Sequence, residues 1–107
     1  MTVVHLAEPV ALGAGVMAVI EEDEGTTAVV SVTEAERRGW PVDFRAAWLT
    51  VTAHSSLEAV GLTAALADVL ADVGIPCNVI AGYFHDHLLV PLDRVDRAIE
   101  SLESLAN

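Results

Sequence analysis

Apolar residues divide the chain into short runs of alternating character and two longer segments with helical spacing. VMAVI (residues 16–20) and TTAVVSV (26–32) flank the acidic, glycine-containing EEDEG, the pattern of a β-hairpin. TEAERRGW (33–40) predicts a short helix, with Thr33 and Glu36 fitting a capping box and Gly39 a stop. FRAAWLTVTA (44–53), with Trp48 and β-branched residues, reads as a strand. In the segment that follows, Leu62, Leu66, Val69, Leu70 and Val73 fall on one helical face. Ser55 and Glu58 form a second capping-box pattern, and Gly74 and Pro76 supply the stop. CNVIAGY and HDHLLVP read as two more strands, with Gly82 and Tyr83 between them. The closing LDRVDRAIESLESLAN aligns Leu92, Val95, Ile99, Leu102 and Leu105 or Ala106, with Asp93 placed to cap it.

The predicted order is β-β-α-β-α-β-β-α. Helices with one apolar face each pack best on one side of an antiparallel or mixed sheet, an α+β fold of ferredoxin-like type. Residues 44–107 form a βαββα core in this reading. The hairpin and short helix (16–43) form a partial second half that extends the sheet. Residues 1–15 carry little pattern and read as a lead-in, with Gly13 and Gly15 giving flexibility.

Composition narrows the function. The 107 residues suffice for one small domain. Sixteen acidic residues against five arginines and no lysine leave a formal charge of −11. Such a chain lacks the basic footprint a nucleic acid or an anionic membrane surface requires. Without lysine, Schiff-base chemistry and a P-loop are excluded. Polar residues interrupt every apolar run well short of a membrane span. The N-terminus shows no basic leader, and a cytoplasmic protein is the simplest expectation. Cys77 stands alone, so neither an internal disulfide nor a cysteine-only zinc site is available.

Candidate chemistry concentrates in two places. HSSLEAVG (54–61) sits at a predicted helix start, where free N–H groups favour an anion and Ser55 and Ser56 add hydroxyls. Simple capping by Ser55 and Glu58 explains the same residues. Gly61 permits close approach of a strand or a ligand. In FHDH, strand alternation sends His85 and His87 to one side and Asp86 to the other. Two histidines so spaced can share a metal, line a pocket rim or make structural hydrogen bonds, but a metal site needs further ligands. Tyr83 and Phe84 bring two of the few aromatic residues together, as an interface does. Arg45, Arg94 and Arg97 are candidates for a ligand carboxylate, the last two fitting better on the exposed face of the final helix. The acidic residues 21–24 fit a solvated hairpin tip or a cation site. A nucleophile built on Cys77 with a histidine, or on the serines with His54, has little support. Cys77 starts an apolar strand, and adjacent residues at a cap seldom face each other.

HSSLEAVG, GIPCNVIAGY and HDHLLVP, in that order, resemble a bacterial family of small ACT-domain proteins related to the ACT modules of the cytosolic arginine sensor. The resemblance covers residues 54 to about 105. It implies a βαββαβ fold and a regulatory, amino-acid-binding role in place of catalysis. It also implies a pocket near the connection from the first strand to the first helix and at the turn between the second and third strands. Carried onto this chain, the ligand residues are His54, Ser55, Ser56, Leu57, Gly61, Asn78, Val79, Ile80, Tyr83, Phe84, His85, Asp86 and His87. Because the chain holds one clear ACT unit and part of another, a second subunit is expected to complete the pocket, making a homodimer. No cofactor or metal is expected. The alternatives are a dimerisation module without ligand and a metal-binding protein using the His-Asp-His turn.

Overall fold

A computed structural model describes residues 1–51 and 59–106, with side chains described outside 59–62 and 106. It separates into two compact units, Met1–Arg45 and Ala46–Asn107.

The first unit contains β1 (Thr2–Leu6), β2 (Val16–Glu22), β3 (Gly25–Val30) and α1 (Val32–Arg38). Its sheet is antiparallel, in the order β1-β3-β2. The predicted hairpin is β2–β3, but it pairs with β1 in a three-stranded sheet of its own and does not extend the sheet of the second unit. The expected lead-in over residues 1–15 is corrected accordingly. Thr2, Val4 and Leu6 alternate toward Val30, Ala28 and Thr26, and Thr2 and Val4 are buried. Taking both edges of β3 satisfies backbone groups that would otherwise be exposed. Val4, Val16, Ala28, Val30 and Ala35 form the core, flanked by Leu6, Val10, Val19, Trp40 and Val42. One irregularity interrupts the β2–β3 ladder. Val16 faces Val30 and Ala18 faces Val29, which leaves Met17 as the extra residue of a β-bulge.

Helix α1 is capped two residues earlier than its expected capping box. Ser31 is the cap, extended at φ −66°, and its Oγ accepts from the Glu34 N–H at 3.1 Å. Gly39 ends the helix in the left-handed conformation, as anticipated. Capping at Ser31 places Glu34 in the first turn, one turn before Arg37 and Arg38. Arg37 Nε donates to it at 3.0 Å and Arg38 Nε at 2.5 Å, with a further Arg37 Nη2 contact. These hydrogen bonds, Arg37's first, hold the Glu34 carboxyl down at about 2 from an ordinary 4.5. A carboxyl depressed on folding adds stability that is complete above about pH 4.5 and lost as the pH falls through about 2. Glu34→Gln is therefore expected to flatten the acid-unfolding profile over that window, read by circular dichroism. An unchanged profile would show the ion pairs to be energetically silent.

The second unit contains β4 (Ala46–Val51), α2 (Ala59–Asp72), β5 (Asn78–Ala81), β6 (Asp86–Pro91) and α3 (Val95–Glu103), with short 3₁₀ turns on either side of α3. The sheet is antiparallel in the order β4-β6-β5. These five elements supply the βαββα core of an α+β, ferredoxin-like fold. Strand alternation sends Ala47, Leu49, Val51, Leu88 and Val90 to the helices. There they pack with Leu70, Val69, Val73, Ile75, Ala98 and Leu102. Full burial of Leu70 and Leu88 contributes roughly 1.5–3 kcal/mol each. Gly74 stops α2, its neighbour Ile75 donating back to the Leu70 carbonyl at 2.9 Å.

Helix α3 departs from its predicted stripe. Ala98 is its buried residue, whereas Leu92, Ile99 and Leu105 are partly exposed. Asp93 does not cap it. Leu92–Arg94 forms a 3₁₀ turn, and Arg94 occupies the cap position without a capping hydrogen bond. Among the described residues no helix is long and apolar enough to cross a membrane.

Candidate functional site

The β5–β6 hairpin collects most of the predicted ligand residues that fall within the described chain. Its turn is closed by the Gly82 N–H, which donates to the His85 carbonyl at 2.9 Å. A Cβ at position 82 would lie 2.6 Å from that carbonyl oxygen and 3.0 Å from His87 Nε2, so the turn admits only glycine without a shift. Tyr83 and Phe84 project from the tip at 95% and 83% exposure, their rings edge to face at 4.8 Å. Two large apolar surfaces in water at one turn are costly unless something covers them.

The expected alternation of the two histidines does not occur. Strand β6 begins at Asp86, and His85 belongs to the exposed turn, where its carbonyl serves the closing hydrogen bond. His87 is within the strand. Its Nδ1 lies 3.0 Å from Thr50 Oγ1, and its ring sits 4.9 Å from that of Trp48 at 30°. With Gly82 against Nε2, the imidazole is fixed on three sides. A hydroxyl can donate or accept, so Thr50 serves either tautomer.

Register explains why these residues meet. Thr50 and Ile80 both face His87, while Trp48 and Asn78 both face Leu89. All of them share one face of the sheet. Asp86 and Val79 belong to the opposite, helix-backed face. Asp86 is half-buried and faces Val51, the residue from which the chain leaves β4 toward the segment containing His54. His54, Ser55, Ser56 and Leu57 lie outside the described residues. Gly61 lies in the early part of α2. Trp48 and Thr50 are the additions the sequence reading missed. Alternation along β4 places them on one face, but only the β4–β6 register assigns that face to His87.

The remaining candidates fall into structural roles. Cys77 is half-buried against the second core. Arg97 pairs with Glu100 at 3.2 Å on the exposed side of α3, as expected. Arg94 does not follow it there. It is half-buried, and its Nη2 donates to the Val73 carbonyl at 3.2 Å, a cation closing the C-terminal end of α2. Arg45 is exposed. The acidic residues 21–24 form the exposed β2–β3 tip, where Glu22 accepts from the Thr27 hydroxyl and the Glu24 carbonyl contacts His5 Nε2 at 2.8 Å. Among the described residues no three His, Cys, Asp or Glu side chains come together to hold a metal ion.

A family model for the ACT domain matches residues 43–104, which span the second unit almost completely. Among solved structures, the chain is similar to a protein of unknown function from Vibrio cholerae, described as a possible transport protein. The two are 40% identical with a TM-score of 0.79, over 94% of this chain and 79% of that one. No curated protein matches.

Proposed function

This chain belongs to the ACT domain family, and from that premise we propose that it is a regulatory module that binds an amino acid at the β5–β6 hairpin end of the second unit. ACT domains are typically regulatory and non-catalytic, and they commonly bind small ligands and dimerise. The family match over residues 43–104 carries the reading. The hairpin supplies its chemistry. Asp86, half-buried at the end of β6, is the partner for the ligand ammonium. Ser55 and Ser56, with the N–H groups of the helix start, are the partners for its carboxylate. His87, on the opposite face of the hairpin and held in place by Trp48 and Thr50, braces the turn beneath it. Tyr83 and Phe84 form the contact with a second copy, which completes the pocket in a cytoplasmic homodimer. Binding then shifts an assembly equilibrium to the extent that the ligand prefers one state.

Thermal unfolding against the twenty amino acids tests this. A ligand at about 100 times its dissociation constant adds roughly 2.7 kcal/mol, a clear rise in Tm. The rise is expected with one amino acid or a small related group, and it should disappear in Asp86→Ala. No rise with any of the twenty would sink the amino-acid reading and leave a dimerisation module. That outcome is recognised by a Tm that climbs with protein concentration alone.

A further inference from the structure

We propose that the first unit carries a separate binding site for a small monocarboxylate with a planar or apolar body, its carboxylate held by Arg38. The site is an open groove of about 280 Å³ within residues Met1–Arg45, lined by Leu6, Pro9, Val10 and Trp40 and by the polar Arg38 and Glu8. That volume lies just below the usual range for ligand pockets, about 300–1,000 Å³, and suits a small ligand. The walls are anchored, because Leu6, Val10 and Trp40 pack directly against the core of β1, β2, β3 and α1.

Arg38 is the reason to assign a ligand. Its guanidinium carbon lies 4.8 Å from the centre of the Trp40 ring, and its Nε donates to Glu34 Oε2 at 2.5 Å. One face is thus stacked and one edge bound, which fixes the fork in space. Among the described residues its Nη groups make no hydrogen bond, and the side chain is 30% exposed. An immobilised guanidinium with a free edge is the geometry that takes a carboxylate in two parallel hydrogen bonds. The charge balance permits a single anion. Glu34 is shared between Arg37 and Arg38, and with Glu8 the local carboxylates and guanidiniums stand at two each. This occurs in a chain whose overall formal charge is −11. Glu8 at the rim repels a second negative charge, which favours a monoanion. The rest of the ligand meets Leu6, Val10 and the indole, surfaces suited to a ring or a short apolar chain. None of these residues takes part in the hairpin site proposed for the second unit, so this inference stands apart from it.

The test is a titration of the full chain, labelled with ¹⁵N, with benzoate and with its neutral counterpart benzamide, followed by NMR. The chain has two tryptophans, Trp40 and Trp48, so their indole N–H signals act as internal reporters. Benzoate should move the Trp40 indole and the Arg38 Nε–H saturably and leave Trp48 in place. Benzamide should bind at least about tenfold more weakly, the worth of a charge-assisted contact. Arg38→Gln should weaken benzoate to the same degree, with Arg97→Gln, in the second unit, near the parent value. Equal binding of benzoate and benzamide would overturn the proposal and reduce the groove to an apolar crevice. So would the absence of any saturable change at Trp40. The benzamide comparison uses the unaltered protein, so a variant that fails to fold does not remove the test.

Discussion

Replacing Leu88 with alanine should lower the unfolding free energy of the second unit by about 2–5 kcal/mol. Leu88 has no exposed surface and sits at the centre of the core formed by β4, β6, α2 and α3. Removing its branched end loses the transfer term, and the cavity then loses contacts that Leu70, Ile75 and Val90 cannot all recover. The position also separates volume from polarity. Leu88→Met keeps the volume and should cost less than about 1.5 kcal/mol. Urea unfolding checks both, with a lower midpoint at unchanged slope marking a pure loss of stability. A loss below about 1 kcal/mol for the alanine variant would mean that the helices close over the gap. His87 and Leu89, on the other face, would then be the anchors of β6.

Gly25→Ala should be nearly as damaging, and for a different reason. Gly25 begins β3 at φ +135°, a region that side chains rarely enter and that costs about 1–3 kcal/mol to occupy. A Cβ there would also stand 2.6 Å from the Leu6 carbonyl oxygen and 2.8 Å from His5 Nε2. The first of these is backbone and cannot swing aside, so β1 must move, at about another 1–3 kcal/mol. Because β1 closes the sheet of the first unit, the damage should spread to Thr2 and Val4. Amide hydrogen exchange is the direct measurement. Protection should fall across β1 and β3 and persist in β4 and β6. Unchanged protection in β1 would show that the turn relaxes locally.

Much of the fold was legible because its signals are local. The strand–helix alternation from residue 16 onward, the glycine stops at Gly39 and Gly74 and the apolar face of α2 all follow from neighbours within a few residues. Missed features depend on distant partners. Strand β1 is five residues long and gains its meaning from β3, more than twenty residues further on. Thr33 fits the cap pattern locally, but Ser31 takes the role because β3 ends at Val30. His85 and His87 looked equivalent until the Gly82–His85 hydrogen bond placed one of them in the turn. The candidate site was readable as a list of residues but not as an arrangement. Its organising contacts, Trp48 and Thr50 on His87, cross between strands almost forty positions apart. The Arg38 groove was beyond reach for the same reason, since its apolar wall at residues 6–10 and its cation come from opposite ends of the unit.

The bulge at Met17 bears on which changes this chain can absorb over time. Val16 and Val19 both belong to the first core although they stand three residues apart, an odd interval that a regular strand would send to opposite faces. The extra residue is what reconciles them. Met17 itself is half-exposed, so many side chains should serve there, and removing the position would leave Val16 and Val19 two apart, an interval that a regular strand keeps on one face. At this point the inheritance is loose in both identity and number. Substitution keeps the bulge, and loss of this one codon gives a regular strand with both valines still inward.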